Sequence, residues 1–324
     1  MILGGDVGGT KALVALAEDD GRFIREQIYH CAEYPSLEAI VETFLGKDRP
    51  ALRGASFGVA GPVIAGVAKI TNLPWTISET SLSQQLGGIP VRLLNDLQAT
   101  ALGALAIPAS AFHVLQPGTV AAGATIAVIA PGTGLGEALL VSDGARYVAL
   151  PSEGGHADFA PGTDEEVELW RYLRGKYGTH ISYERVLSGN GLGDLYGFCR
   201  ERSGVAEPAW LTAEMAAGDR NAVVTTVALA GKDPACVRAL EMFVAILGAE
   251  AGNLALRGLA VGGVVVGGGI PPKILAALAQ PPFLARFNEK GRFATWTRAL
   301  SVRVSLEPKA ALYGAVHDVV TRAH

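Results

Sequence analysis

Asp96, in Leu94-Asn95-Asp96, follows the apolar stretch Val91 to Leu94 and precedes a helix-like run from Ala99 to Leu105. A carboxylate at the C-terminal end of a strand in an α/β fold stands where ligands bind. There it could take a proton from an attacking hydroxyl. The same position also suits an Asp that caps the helix, a role worth ~1 kcal/mol. What tips the reading toward a base lies upstream, in Gly4-Gly5-Asp6-Val7-Gly8-Gly9-Thr10-Lys11. That stretch recurs in altered form as Ala130-Pro131-Gly132-Thr133-Gly134-Leu135-Gly136-Glu137, and apolar runs flank both copies. Apolar run, glycine turn, apolar run is a β-hairpin signature. Glycines let backbone N–H groups converge on an anion with no Cβ in the way. Two such loops facing each other would hold the phosphates of one nucleotide, which suggests a duplicated, two-lobed phosphotransferase. The first loop is no Walker loop, because its order is Gly-Thr-Lys rather than Gly-Lys-Ser/Thr. A tight hairpin turn with no ligand is the alternative.

Further polar groups sit at turns. Glu153-Gly154-Gly155-His156 places an acid and an imidazole around a flexible turn, where both could bond the hydroxyls of a polar ligand or simply face solvent. A zinc role for His156 would need partners, and no cysteine pair lies nearby. Glu184, in Ser182-Tyr183-Glu184-Arg185-Val186-Leu187-Ser188-Gly189, reads by itself as a surface charge near Arg185. Gly267-Gly268-Gly269 follows Val264-Val265-Val266 and suits either a strand-to-turn crossing or close approach to an adenosine. Thr71-Asn72-Leu73-Pro74-Trp75 reads as a lip of a ligand cleft or as a loop with a core Trp.

The elements that must position these groups alternate. After the first hairpin, Leu37, Ile40, Val41, Phe44 and Leu45 have helical spacing, and Gly54 to Ala60 is strand-like. Gly61-Pro62 turns the chain, and Ser81 to Leu86 reads as a short helix. This is an α/β lobe. The second lobe opens with the repeat hairpin, followed by helices at 164–177, 193–201 and 234–257. The last of these carries an apolar stripe, with Gly248 and Gly252 placed for close packing on a neighbour. The tail from Pro308 reads as a helix, with Leu312, Val316, Val319 and Val320 on one face.

Bulk properties narrow the classes. The chain has 324 residues, enough for about two domains. It is 49% hydrophobic and only 18% charged, which makes a core-rich globular protein. A net charge of −4 without a basic run lacks the footprint of a nucleic-acid binder. Cys31, Cys199 and Cys236 are too far apart for a disulfide framework or metal cluster, which fits a reducing, cytoplasmic setting. Asp6 arrives before any signal-peptide apolar region could form. The uncharged stretch 99–136 is broken by Pro108, His113, Pro117 and Pro131, so no membrane span is expected there.

Together these landmarks resemble the bacterial glucokinase family of the actin/hexokinase-like ATPase superfamily. They are Gly5-Asp6-Val7-Gly8-Gly9-Thr10, Thr71-Asn72-Leu73-Pro74-Trp75, Leu94-Asn95-Asp96, Gly132-Thr133-Gly134-Leu135-Gly136, Glu153-Gly154-Gly155-His156, Glu184 to Gly189 and Gly267-Gly268-Gly269-Ile270, in family order. The resemblance implies a two-lobed, ribonuclease H-like duplicated fold with a cleft between a small domain (1–106 plus 308–324) and a large one (107–307). It implies ATP-dependent phosphorylation of glucose at its 6-hydroxyl, the first step of glycolysis. Asp96 would be the catalytic base, and Asn95, Asp96, Glu153, His156 and Glu184 would bind sugar hydroxyls. Gly5, Asp6, Val7, Gly8, Gly9, Thr10, Gly132, Thr133, Gly134 and Gly136 would hold ATP phosphates, with Asp6 close to Mg²⁺ and with Gly268 and Gly269 against the adenosine. A homodimer is the family expectation. Lys11 stands where related ROK sugar kinases often have Lys, yet their zinc-binding cysteine cluster is missing. A ROK-like kinase for another hexose or amino sugar, or a non-catalytic sugar- and ATP-binding regulator, are the alternatives.

Overall fold

The computed structural model describes residues 1–47, 49–70 and 73–322. By its contacts the chain divides into two compact units. The first contains Met1–Ala111, Leu140–Pro151 and the chain from Glu307 onward; the second contains Phe112–Leu139 and Ser152–Leu306.

In the first unit β1 (Ile2–Val7) and β2 (Lys11–Ala17) form an antiparallel hairpin in unbroken register, with Val7 opposite Ala12. Gly4, Gly5 and Asp6 therefore belong to a strand, and the turn proper is Gly8-Gly9-Thr10. β3 (Phe23–His30) lies at the edge, with Ile24 to Ile28 facing solvent. β4 (Gly54–Val59) runs parallel to β1 and is buried along its whole length, as a central strand of a covered parallel sheet must be. A small sheet of β5 (Val63–Ile64), β6 (Val67–Lys69) and β7 (Thr76–Ser78) precedes β8 (Val91–Asn95), which pairs parallel with β4. The main order is β3-β2-β1-β4-β8. Consecutive strand residues face opposite sides, so Ile2 and Leu3 enter different layers. Leu3 packs in one cluster with Leu37, Ile40 and Phe44 of helix α1 (Leu37–Leu45). Ile2 meets Val316 and Val319 of the C-terminal helix, Ala310–Arg322.

Helix α2 (Glu79–Gln85) starts two residues earlier than the apolar spacing predicts, because Ser78 caps it. Helix α3 (Asp96–Ala106) likewise begins at Asp96, capped by Asn95, ahead of the expected Ala99. It touches the C-terminal helix backbone to backbone. A Cβ on Gly314 would fall 1.7 Å from the Ala99 carbonyl oxygen, and one on Gly103 would fall 1.9 Å from that of Ala310. The buried Asp318 is held by the Ser56 hydroxyl at 2.8 Å, by Arg92 at 3.2 Å and by Arg322.

The second sheet has the order β12-β11-β10-β13-β14-β9. Its strands are β9 (Phe112–Gln116), β10 (Ile126–Pro131), β11 (Leu135–Ser142), β12 (Tyr147–Ser152), β13 (Val264–Val266) and β14 (Val302–Ser305). β10, β13 and β14 are parallel. Apart from β9, which pairs antiparallel with β14, the arrangement repeats the first sheet: three strands in chain order, the outer two on one side, then two parallel strands on the other. The duplication thus extends well past the glycine turns. Residues 140–151, expected in the second domain, group with the first unit. There the Ala149 carbonyl accepts a hydrogen bond from Gln98 Nε2 at 3.1 Å.

Helices fill the rest of the second unit: α4 (Asp164–Tyr177), α5 (Gly189–Ser203), α6 (Ala209–Ala217), α7 (Arg220–Leu229), α8 (Pro234–Gly258), α9 (Leu275–Leu278), α10 (Pro281–Asn288) and α11 (Ala294–Arg298). α5 is longer at both ends than its apolar spacing predicts, because Ser188 caps it from outside that pattern. α8 has Asp233 as cap and Pro at its first position, where a missing N–H costs nothing. α8 is long and apolar enough to cross a bilayer, yet 72% of its most apolar stretch is buried within the fold. Its Gly248 and Gly252 lie against α10, where added Cβ atoms would come within 2.1 Å of the Phe283 and 2.6 Å of the Phe287 carbonyl oxygens.

These contacts set one expected outcome. Gly314→Ala forces two helix backbones apart and should lower stability by about 1–3 kcal/mol, the usual cost of overpacking. Gly175→Ala, on an exposed face of α4 with nothing within 4 Å of the new Cβ, should instead add about 0.5–1 kcal/mol. Chemical denaturation of both variants checks the contrast.

Candidate active site

The first group of site residues gathers at one end of the first sheet. Parallel pairing aligns Asp6 with Gly58 and Gly58 with Leu94, so the ends of β1, β4 and β8 come level just before Asn95 and Asp96. Gly58 brings α3 close, since a Cβ there would lie 2.7 Å from that of Ala99. Asn95 is the helix cap, which corrects the alternative that Asp96 fills that role. The Asn95 side-chain oxygen accepts from Leu97 N at 2.9 Å, while Gln98 Oε1 accepts from Asn95 N at 3.1 Å. This is a full capping box, and Gln98 three residues after Asn95 was its signal in the sequence. The Asn95 amide also donates to the Gly61 carbonyl at 3.2 Å, which orients it. Asp96 then stands at the first helical position, where the helix dipole favours its anion.

Asp6 is partly buried beside Asp96. Burial, and secondarily the charge of Asp96, raise its pKa from 3.8 to about 6. Two carboxylates so placed welcome a cation. Among the described residues no group of three His, Cys, Asp or Glu side chains could cage a metal. A hard ion such as Mg²⁺, which is commonly held by one or two carboxylates plus substrate phosphates and water, nonetheless fits this pair. The turn beside Asp6 is pinned by Gly8 N donating to the Lys11 carbonyl at 2.9 Å. Beneath it, Cys31 N donates to the Thr10 carbonyl at 2.9 Å and the Cys31 thiol to the Gly8 carbonyl at 3.5 Å. No sequence pattern pointed to Cys31. Gly5 is a packing residue in β1: a Cβ would strike the Phe57 ring at 2.5 Å. Val7 is likewise a buried strand residue.

The second group gathers in the second unit. Glu153 precedes a 3₁₀ turn, Gly154–His156, and Glu184 lies in another, Tyr183–Arg185. His156 faces both acids: Nε2 is 3.8 Å from Glu153 and Nδ1 is 4.0 Å from Glu184. The reading of Glu184 as a surface charge is overturned. Its Oε2 accepts from Leu135 N at 3.0 Å, directly after the second glycine turn, and Gly134 leaves room for that carboxylate. The turn itself is closed by Gly132 N donating to the Gly134 carbonyl at 2.8 Å, with Thr133 at its tip and Gly136 already in β11. Gly189, the first residue of α5, donates to the Gly132 carbonyl at 2.9 Å. Gly268, with φ +86°, adopts a conformation open to glycine and lies against Pro131, so Gly268 and Gly269 join the same glycine-lined corner. Of the expected lip, Trp75 is buried core, while Thr71 and Asn72 lie outside the described residues.

Comparison with known proteins identifies the family. A family model described as Glucokinase matches residues 3–321. The chain is 39% identical to a glucokinase of Nostoc punctiforme, with 97% of each chain covered. It is 38% identical to one from Ralstonia nicotianae, over 99% of this chain and 96% of that one. A crystal structure of glucokinase from an Antarctic psychrotroph superposes with a TM-score of 0.86 at 30% identity, covering 98% of both chains. The architecture is therefore the actin/hexokinase-like one.

The Asp6 carboxyl supplies a pH test. Its folded pKa lies above the ordinary 3.8, so between pH 4 and 6 the native state binds the extra proton and stability falls as pH rises. Above that window the ligand-free protein has lost at most about 3 kcal/mol at this site, at 1.36 kcal/mol per pKa unit. Asp6→Asn should therefore stabilise the ligand-free protein at pH 7 and flatten that limb. Thermal unfolding from pH 4 to 8 reads it, and parallel profiles would refute the assignment.

Proposed function

The chain belongs to the glucokinase family, and we propose the following division of labour for its ATP-dependent phosphorylation of glucose at the 6-hydroxyl. Asp96 is the base. Glucose O6 attacks the γ-phosphorus, the bond from phosphorus to the ADP oxygen breaks, and the O6 proton passes to the Asp96 carboxylate. Phosphoryl transfer asks a protein mainly for positioning and charge stabilisation. Backbone N–H groups of Gly9 and Thr10 and of Thr133 and Gly134 supply the latter, preorganised by the hydrogen bonds through which Gly8 N and Gly132 N close each turn. Asp6 would hold Mg²⁺, which neutralises charge on the phosphate oxygens. Gly268 and Gly269, having no side chains, leave a surface on which an adenosine can lie.

Asn95, Glu153, His156 and Glu184 recognise the sugar. Carboxylates accept from sugar hydroxyls, the Asn95 amide both donates and accepts, and His156 can do either. A site built from such groups rejects a sugar lacking a hydroxyl, because a buried polar partner would go unsatisfied. The observation that carries the reading is Asp96 itself: a carboxylate at the end of a parallel strand and the start of a helix, beside a second acid suited to a cation. We further propose a homodimer in a reducing, cytoplasmic setting, consistent with three free, buried cysteines.

Asp96→Asn should leave the glucose Kd near that of the native enzyme and lower kcat by about a hundredfold or more, the usual range for a general base. Coupled ADP release together with calorimetric glucose binding measures both, and near-native turnover would remove Asp96 from the role.

A further inference from the structure

Glu137 lies on β11, two residues beyond the amide that holds Glu184. It is fully buried, and its Oε1 has no hydrogen-bond partner. Its Oε2 is 3.4 Å from Arg257 Nη1, while the other arm of the same guanidinium binds Glu250, also fully buried. One cation thus faces two buried carboxyls. The nearby Lys290 ammonium is directed elsewhere, to the Ala249 carbonyl at 2.8 Å and Asn253 Oδ1 at 2.7 Å. Tyr183 completes the surroundings with a hydroxyl 3.3 Å from the Asn253 amide. A second buried negative charge would go uncompensated, and such groups keep their proton instead. Burial first, and then the Glu250 charge, hold the Glu137 carboxyl well above the usual range, with Arg257 opposing.

This cluster lies directly under the residues assigned to the sugar. A Cβ on Gly154 would fall 2.2 Å from Glu137 Oε2, and one on Gly155 would fall 2.2 Å from the Leu135 carbonyl oxygen. The Glu153–His156 turn therefore rests on β11 with its two glycines flush, one of them on the Glu137 carboxyl. Tyr183, whose hydroxyl reaches the same cluster, immediately precedes Glu184. Resting on the reading of Glu153, His156 and Glu184 as sugar-binding groups, we propose that Glu137 is their positioning residue, a protonated acid that sets the height of the 153–156 turn. Loss of its proton would place a second buried anion beside Glu250, drive the carboxyls apart and shift that turn. The loss should appear in glucose recognition and leave the nucleotide untouched.

The experiment measures KM for glucose and for ATP from about pH 6 to 9, where such a raised carboxyl would titrate, in the native enzyme, Glu137→Gln and Glu137→Leu. The amide imitates the protonated acid in shape and hydrogen bonding. Glu137→Gln should hold the glucose KM within about twofold at neutral pH and abolish the rise that the native enzyme shows toward alkaline pH. Glu137→Leu should raise the glucose KM about tenfold to a hundredfold at every pH, as misplaced contacts do, with the ATP KM nearly constant throughout. A native glucose KM that is flat with pH, a Gln variant that keeps the alkaline rise, or a Gln variant as impaired as the Leu one would each overturn the proposal. If the Leu variant does not fold, glucose binding by the Gln variant across pH decides alone. A native enzyme that releases no ADP in response to glucose would instead sink the functional reading on which this rests.

Discussion

Close approach to bare glycine backbone, with no Cβ in the way, is the constraint on which this architecture depends. At Gly58 it lets α3 approach β4, so that the helix begins where β1, β4 and β8 come level. At Gly103 and Gly314 it locks that helix onto the C-terminal one. At Gly154 and Gly155 it seats the 153–156 turn on β11, and at Gly134 it admits the Glu184 carboxylate. A methyl group at Gly103, Gly155 or Gly314, where the atom met is backbone, would displace a whole element, because close-packed interiors transmit strain. The high glycine content therefore serves the joints between elements as much as the turns.

The second recurring theme is an acid placed beside an acid. Asp6 and Asp96 stand together at the surface end of a sheet, where a cation arriving with a phosphate can relieve them. Glu137 and Glu250 stand together in the core, sharing the single guanidinium of Arg257, where a retained proton is the available relief. The same Coulomb problem thus has an open solution at the proposed chemistry and a closed one beneath the 153–156 turn. Both rest on the fact that a desolvated carboxylate is costly unless paired.

Several features were legible in the amino-acid sequence because they depend on residues close together along the chain. The twin hairpins followed from apolar runs around glycines, and the match of the two sheet orders extends that repeat. Helix α8 followed from its stripe, and Gly248 and Gly252 from their spacing. The cap was misread although its signal is equally local: Asn95, with Gln98 three residues on, holds the first-turn amide, and Asp96 is already helical. The other reading that needed correction depended on a distant partner. Glu184 looked like a surface charge because nothing nearby in sequence announces Leu135. The packing of Gly5 on Phe57, which lies on another strand, likewise has no local signal.

Periodicity and turn chemistry act over a few residues, so the chain by itself determined its element types, its internal repeat, its family landmarks and Asp96 as the candidate base. Which side chains share a neighbourhood was decided only by tertiary structure. Strand register brought the end of β1 level with that of β8, and burial set Asp6 against Asp96 and Glu137 against Glu250. These are pairings across long sequence separation, and their energies arise from desolvation and contact that exist only once the sheets are covered.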